Sequence, residues 1–356
     1  MKKRVLIAAG GTGGHIFPSL SLANELVEKI PKIEILFAGN GLSQNPYFQD
    51  FTSYDISSGL LGFSSPFKLA AGLWQTFQGV GQAHRLIREF APDAVCGFGS
   101  YHSLPVLLAS KICRVPLFLH EQNSVPGRVN RLLSRFACVT GVQFPSAKER
   151  LKGKTAMVQM LLRKSLSGIT RDKALAHFGL TPEKKTLLIM GGSQGALAIN
   201  RLVSSASHHM GDLQIIHLTG KTQEEYQKNY EMRGVRACVK NFETQMDFAW
   251  QAADFLIGRA GAGTVAEMIR YRVPGILIPY PFAMDRHQEG NADFIAALGG
   301  GVKLLQHQAS PSVLATLVKM MLEPKRLAQM ESALDEYFLQ AEHPSMADLI
   351  GEHLDG

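Results

Sequence analysis

Arg4-Val5-Leu6-Ile7-Ala8-Ala9 runs directly into Gly10-Gly11-Thr12-Gly13-Gly14-His15, and the pattern returns half a chain later. There Thr186-Leu187-Leu188-Ile189-Met190 runs into Gly191-Gly192-Ser193-Gln194-Gly195-Ala196. Each apolar run has the length of a buried strand. Each glycine turn leads into helical apolar spacing, Ile16 to Val27 and Leu197 to Val203. Glycines at a strand-to-helix turn allow positive φ and close backbone approach. The unpaired N–H groups of the helix start then favour an anion. Two such turns predict two similar α/β lobes, each with a phosphate-sized cradle.

Short apolar runs alternate with helical stretches on either side of these turns. In the first half they are Val5–Ala9, Glu34–Ala38, Ala94–Gly97, Leu117–His120 and Cys138–Gly141. In the second they are Leu187–Met190, Gln214–Leu218, Ala237–Val239, Phe255–Ile257 and Ile276–Pro279. Strands separated by helices indicate parallel sheets. A domain boundary is expected near residues 155–165, before a helix starting about Thr170. Ser310–Leu322 reads as a helix with Val313, Leu314, Leu317, Val318 and Met321 on one face, and a last helical region runs to Leu354. With 356 residues and 46% hydrophobic content, the chain can bury two cores.

Composition excludes several classes. Cys96, Cys113, Cys138 and Cys238 are scattered without a CxxC pair, the pattern of reduced thiols rather than of a disulfide framework or zinc site. Met1-Lys2-Lys3-Arg4 resembles the start of a signal peptide, but the apolar run after it is too short. No apolar run approaches the ~20 residues of a spanning helix. Charge is uneven: residues 1–155 hold 17 Lys and Arg against 9 Asp and Glu, the remainder 20 against 21. An anionic partner for the first half follows, whether nucleic acid, bilayer or phosphorylated substrate. Aromatics are not interleaved with the basic residues, which disfavours nucleic acid.

The first turn does not fit a dinucleotide site, because Glu34 opens the second strand, which ends in Phe37-Ala38-Gly39 without an acid for a ribose. Neither turn is followed by the Gly-Lys-Ser/Thr of a P-loop. Three other stretches stand at predicted strand ends, where open α/β sheets bind ligands. Leu119-His120-Glu121-Gln122-Asn123 is one. Gly258-Arg259-Ala260-Gly261-Ala262-Gly263-Thr264-Val265-Ala266-Glu267 is a third glycine turn opening a helix. Pro279-Tyr280-Pro281 is followed by Asp285-Arg286-His287-Gln288 and Asn291. Taken alone, the first also reads as a solvated loop and the second as close helix–sheet packing.

Five motifs in this order resemble the MurG family of glycosyltransferases: Gly-Gly-Thr-Gly-Gly-His, His-Glu-Gln-Asn, Gly-Gly-Ser-Gln-Gly-Ala, Arg-Ala-Gly-Ala-Gly-Thr-Val-Ala-Glu and Asp-Arg-His-Gln. The resemblance implies an α/β GT-B fold, two Rossmann-like parallel-sheet domains facing a central cleft. It implies residues 1–160 as an acceptor and membrane-associating domain, completed by a C-terminal helix about 335–356, and 161–334 as a UDP-GlcNAc-binding domain. The implied reaction moves N-acetylglucosamine from UDP-GlcNAc to the MurNAc C4 hydroxyl of lipid I, with inversion, giving lipid II and UDP. Another GT-B transferase acting on a glycolipid, or a non-catalytic nucleotide-sugar sensor, is the alternative.

By the same resemblance, Thr12, Gly13 and Gly14 border the donor sugar and diphosphate, and Asn123 hydrogen-bonds the GlcNAc. Ser193 contacts the diphosphate. Ala262, Gly263, Thr264, Val265, Ala266 and Glu267 line the nucleotide, with Glu267 accepting from the ribose, and Gln288 reads sugar hydroxyls. Backbone groups near Glu243 read the uracil. Arg163 is a further diphosphate contact, although its junction Gln159-Met160-Leu161-Leu162-Arg163 departs from the family's Gly-Asn-Pro-Val/Ile-Arg. No Asp-x-Asp occurs in the chain, and neither metal nor cofactor is expected. The base is His15 or Glu121. A helix start favours the neutral imidazole that could accept the C4 proton, and the same position equally suits a residue that only orients the loop.

The family acts at the cytoplasmic face of the inner membrane as a peripheral protein, because its acceptor is lipid-anchored, and other cell-wall synthesis proteins are implied partners. Leu60-Leu61-Gly62-Phe63-Ser64-Ser65-Pro66-Phe67-Lys68-Leu69, with Leu73, Trp74 and Phe77, is rich in large apolar residues, and Arg85, Arg88, Lys111 and Arg114 lie near it. One at a time, most of these apolar side chains read as core-facing. The charge of the N-terminal half tips the region as a whole toward an anionic membrane surface.

Overall fold

The computed structural model describes residues 2–11, 13–59, 66–162, 168–192, 195–221 and 223–355. The chain forms two compact units, Met1–Arg163 with Glu342–Gly356, and Lys164–Ala341. The helix Pro324–Gln340 therefore belongs whole to the second unit, and the helix Met346–Asp355 returns to the first. Residues 335–340, expected to complete the first domain, lie in the second instead.

In the first unit β1 (Arg4–Ala8), β2 (Glu34–Gly39), β3 (Thr52–Asp55), β4 (Ala94–Gly97), β5 (Leu117–Glu121), β6 (Val139–Val142) and β7 (Thr155–Met157) form one parallel sheet. Their order is β3-β2-β1-β4-β5-β6-β7. Alternate β1 residues feed opposite cores. Val5 and Ile7 pack with Leu22, Leu26 and the returning Met346, Ala347 and Ile350, while Leu6 and Ala8 pack with Ile87, Val106 and Leu107. Both faces are covered, as a parallel sheet requires.

The second unit repeats the plan with β8 (Lys185–Met190), β9 (Leu213–Leu218), β10 (Ala237–Lys240), β11 (Phe255–Gly258), β12 (Gly275–Leu277) and β13 (Gly301–Lys303), all parallel. The order β10-β9-β8-β11-β12-β13 is that of a doubly wound sheet. The strand order reverses beside β1 in the first unit and beside β8 in the second. Both glycine turns follow those strands, so each opens at its unit's topological switch point, where open sheets bind ligands.

The helix Pro66–Phe90 overturns one expectation. Its buried stripe is Gly72, Thr76, Gly79, Ala83, Leu86 and Ile87, while Phe67, Leu73, Trp74 and Phe77 in its first half face outward. Phe67 is 87% exposed, Trp74 61% and Phe77 68%, with Leu73 also exposed. The cause is the close approach of segment 57–59. A Cβ on Gly79 would lie 1.9 Å from the Ser57 carbonyl oxygen, and one on Gly59 would lie 2.3 Å from the Gly72 Cα. Only small residues fit that seam. Residues 60–65, part of the same apolar stretch, lie outside the described residues. No helix among the described residues is long and apolar enough to cross a membrane.

Candidate active site

At the first switch point, Gly10 and Gly11 adopt φ of +146° and +92°, which L side chains rarely do. A Cβ on Gly10 would also lie 2.9 Å from the His102 Cβ. The turn delivers the chain into the helix Gly13–Lys29, with His15 in its first turn. Because β4 lies beside β1, the residue after β4 reaches His15: its Nδ1 lies 2.8 Å from the Phe98 carbonyl oxygen. A carbonyl only accepts, so Nδ1 carries the proton and Nε2 is the basic nitrogen. The Gln122 amide meets the same Nδ1 at 2.8 Å. Two N–H donors cannot face one another, so the amide oxygen is the end that turns to His15. Gln122 thereby ties the end of β5 to the first turn.

Glu121 is buried, and its carboxylate clasps the loop that follows it. One oxygen accepts from the Asn123 backbone N–H at 3.0 Å and from Asn123 Nδ2 at 3.4 Å. The other accepts from the Gly127 N–H and from Asn130 Nδ2, each at 2.9 Å. Burial pushes the Glu121 carboxyl up, while the bonds from Asn123, Gly127 and Asn130 pull it back. Asn130 also donates to the His120 carbonyl at 3.0 Å. Nothing local in Arg128-Val129-Asn130 signals this role, because its partners are nine and ten residues away. His120 is fully buried against Phe98, and burial lowers its pKa to about 3.

At the second switch point the turn again uses positive φ, +89° at Gly192 and +75° at Gly195. A Cβ on Gly191 would lie 2.2 Å from the Ala196 nitrogen, so the turn is too tight for a side chain there. The helix Leu197–Ala206 follows. Thr12, Arg163 and Ser193, three of the expected contacts, lie outside the described residues.

β11 lies beside β8, and the third glycine turn follows it. Arg259 donates from Nη1 to the carbonyls of Ile278 and Pro279 at 3.1 and 3.0 Å, and from Nη2 to Gln306 Oε1 at 2.8 Å. Asn291 Nδ2 donates to the Ala260 carbonyl at 3.0 Å. Gln288 Oε1 accepts from the Tyr280 N–H at 2.9 Å. The third turn and the Pro279–Asn291 segment are thus one hydrogen-bonded assembly. Asp285 and Arg286 hold φ of +50° and +54°, uncommon for residues other than glycine. They make the sharp bend that brings Gln288 back to Tyr280.

Among Ala262 to Glu267, the side chains of Ala262, Thr264, Val265 and Ala266 are buried, Glu267 is half-buried and Gly263 is exposed. A ligand at this helix start therefore meets backbone N–H groups, Gly263 and Glu267 before it meets the buried side chains. Glu243 is buried with its carboxylate taken by Lys240 Nζ at 2.7 Å, the Gln245 N–H at 2.9 Å and His177 Nε2 at 3.1 Å. Burial opposes ionisation here, but these three partners hold the carboxyl below its usual range. The Glu243 side chain is thereby committed to shaping its own loop.

The chain matches the glycosyltransferase family 28 N-terminal domain over residues 5–141 and the family 28 C-terminal domain over residues 186–350. It is 44% identical to the UDP-N-acetylglucosamine–N-acetylmuramyl-(pentapeptide) pyrophosphoryl-undecaprenol N-acetylglucosamine transferase of Protochlamydia amoebophila, over 98% of this chain and 96% of that protein. It is 39% identical to the protein of the same name from Chlamydia muridarum, over 91% of each. The crystal structure of Acinetobacter baumannii MurG superposes with a TM-score of 0.77 at 28% identity, covering 98% of this chain and 99% of that one. Both family 28 domains, the five motifs in order and near-full-length identity converge: the chain belongs to the MurG family of glycosyltransferases.

Proposed function

We propose that this chain transfers N-acetylglucosamine from UDP-GlcNAc to the MurNAc C4 hydroxyl of an undecaprenyl-diphosphate-linked acceptor, lipid I, giving lipid II and UDP. The observation that carries the chemistry is the His15–Phe98 contact, which puts the proton on Nδ1 and the lone pair on Nε2. In this reading Nε2 takes the C4 proton as the hydroxyl oxygen attacks the anomeric carbon. Attack opposite the departing UDP inverts that carbon. The negative charge growing on UDP is met by the N-termini of the helices Leu197–Ala206 and Ala262–Tyr271. Glu121 holds the Asn123 loop, because its oxygens already accept four hydrogen bonds.

Donor contacts are assigned to Thr12, Gly13, Gly14, Asn123, Arg163, Ser193, Ala262 to Glu267 and Gln288, with the backbone beside Glu243 meeting the uracil. The second unit takes the nucleotide and the first takes the acceptor. The outward aromatics Phe67, Trp74 and Phe77, with exposed Arg85, Arg88, Lys111 and Arg114, form the surface that meets an anionic inner membrane. Other cell-wall synthesis proteins are further partners of such a membrane-bound enzyme.

Label transfer from UDP-GlcNAc to a lipid I analogue, with UDP-glucose and UDP-GalNAc as controls, tests the reading. Transfer from UDP-GlcNAc is expected. Transfer to a different acceptor but not to lipid I would overturn it.

A further inference from the structure

Beneath the second glycine turn runs a line of buried polar side chains that the reaction scheme does not use. Tyr230, on the helix Gln223–Met232, has its hydroxyl 2.9 Å from Nδ1 of His217 on β9. His217 Nε2 lies 3.1 Å from Oδ1 of Asn200. Asn200, on the helix Leu197–Ala206, donates from Nδ2 to the Thr219 carbonyl at 2.8 Å. Tyr230 and His217 are 0% exposed and Asn200 is 1% exposed.

The far end fixes the direction of every bond. The Thr219 carbonyl only accepts, so the Asn200 NH2 faces it and Oδ1 faces the imidazole. Nε2 therefore carries the imidazole proton and donates to Oδ1. Nδ1 accepts from the Tyr230 hydroxyl. Each group polarises the next in a low-dielectric interior. An apolar core would be cheaper to bury, since a partly satisfied polar group there costs free energy. A fully satisfied line with one direction specifies position instead.

The position it specifies is that of the turn. A Cβ on Gly195 would stand 2.3 Å from the Thr219 carbonyl oxygen, so the turn is folded directly against that group. Thr219 is itself pinned, its N–H donating to the Lys240 carbonyl at 2.9 Å. Asn200 grips the other side, its backbone N–H donating to the Ala196 carbonyl at 2.9 Å.

We infer that Tyr230, His217 and Asn200 act as a positioning relay, holding Gly195 and Ala196, where the glycine turn enters its helix, in the place that receives the phosphates of a nucleoside diphosphate. The inference rests on the reading that this turn meets the donor diphosphate. Tyr230→Phe keeps the ring and removes one hydroxyl, and Asn200→Asp replaces the donor to Thr219 with an acceptor. Folded Tyr230→Phe should bind UDP roughly fivefold to tenfold more weakly, the scale of one lost hydrogen bond. Its affinity for uridine and its acceptor KM should stay unchanged. Asn200→Asp should lose more, with the same selectivity for the diphosphate. The loss in Tyr230→Phe should be equal at pH 6 and pH 8, because the relay works through neutral groups. Calorimetry with UDP, with uridine measured by competition, reads these outcomes. If Ser193→Ala weakens UDP binding but folded Tyr230→Phe does not, the relay is wrong and the diphosphate reading stands. If neither variant moves UDP affinity, the diphosphate reading falls and the relay falls with it. Equal losses for UDP and uridine would also overturn the relay, since they would mark a general loosening of the unit.

Discussion

His15 Nδ1 lies 2.8 Å from the carbonyl oxygen of Phe98, a residue 83 positions further along the chain. The contact exists because β4 is laid beside β1, so the residue following one strand meets the turn following the other. It decides which imidazole nitrogen can take a proton.

His15→Ala should therefore lower kcat by about 10²- to 10⁴-fold, the range of a lost general base. UDP-GlcNAc binding should change by no more than about threefold, since the helix N-terminus and glycine turn remain. Steady-state kinetics beside calorimetry separate the two. Turnover close to wild type would remove His15 as the base.

Glu121→Gln should act through the loop. An amide NH2 in place of one carboxylate oxygen faces the N–H donors of Asn123, or those of Gly127 and Asn130, and cannot accept from them. Stability should fall by about 1–3 kcal/mol, and the donor KM should rise as Asn123 loses its anchor. Denaturant unfolding and donor titrations measure both, and an unchanged unfolding midpoint with an unchanged KM would contradict the clasp.

Trp74 and Phe77 stack on each other at 5.9 Å on the outward face of their helix. Replacing both with Ser should weaken binding to anionic liposomes at low salt by at least about tenfold, given ~1.5–3 kcal/mol for a fully buried aromatic. UDP affinity in solution should not change. Liposome flotation provides the readout; equal flotation of variant and parent would show that this face is not the contact.

Burial lowers both His120 and His217 to a pKa of about 3. A lowered folded pKa means that the unfolded chain takes up a proton first, below about 6.5. Stability from these two groups is intact above that pH and declines as pH falls through 6.5 toward 3. At pH 5 the cost is about 2 kcal/mol for each. Glu121, pushed up by burial, acts in the opposite direction and contributes its loss as pH rises. Imidazole nitrogen NMR resolves the histidines individually: both should still be neutral at pH 5, and a charged imidazole at either position would refute its assignment.

Most of the fold was legible in residue order. Strands such as Leu187–Met190 and Phe255–Ile257 are short apolar runs bounded by turn residues, and they appear within β8 and β11. The three strands left unread were Thr52–Asp55, Thr155–Met157 and Gly301–Lys303. Each lies at a sheet edge. An edge strand needs no continuous apolar run, because one of its sides has no neighbouring strand and its residues stay partly or fully exposed.

Site chemistry was less legible. The identities of His15, Glu121 and Gln288 stood out from their motifs, and Glu243 came from the family resemblance alone, but the use of each side chain was not legible. Glu121 reads as a rival base until Asn123, Gly127 and Asn130 close around it. The helix Pro66–Phe90 reads as core-facing until segment 57–59 claims its glycine stripe. His217 and Tyr230 gave no signal at all, since a histidine in an apolar strand has the same spacing as any other core residue.

The sequence by itself determined two parallel α/β units and their glycine turns, and five motifs in order carried the resemblance to the family. The units and turns follow from hydrophobic period and from glycine's freedom at positive φ, which are properties of neighbouring residues. Only the tertiary structure decided which nitrogen of His15 is basic, that Glu121 clasps a loop, and that Trp74 and Phe77 face outward. Those depend on hydrogen-bond acceptors and backbone surfaces brought in from distant segments, and strand order, rather than sequence separation, sets what lies within 3 Å of a side chain.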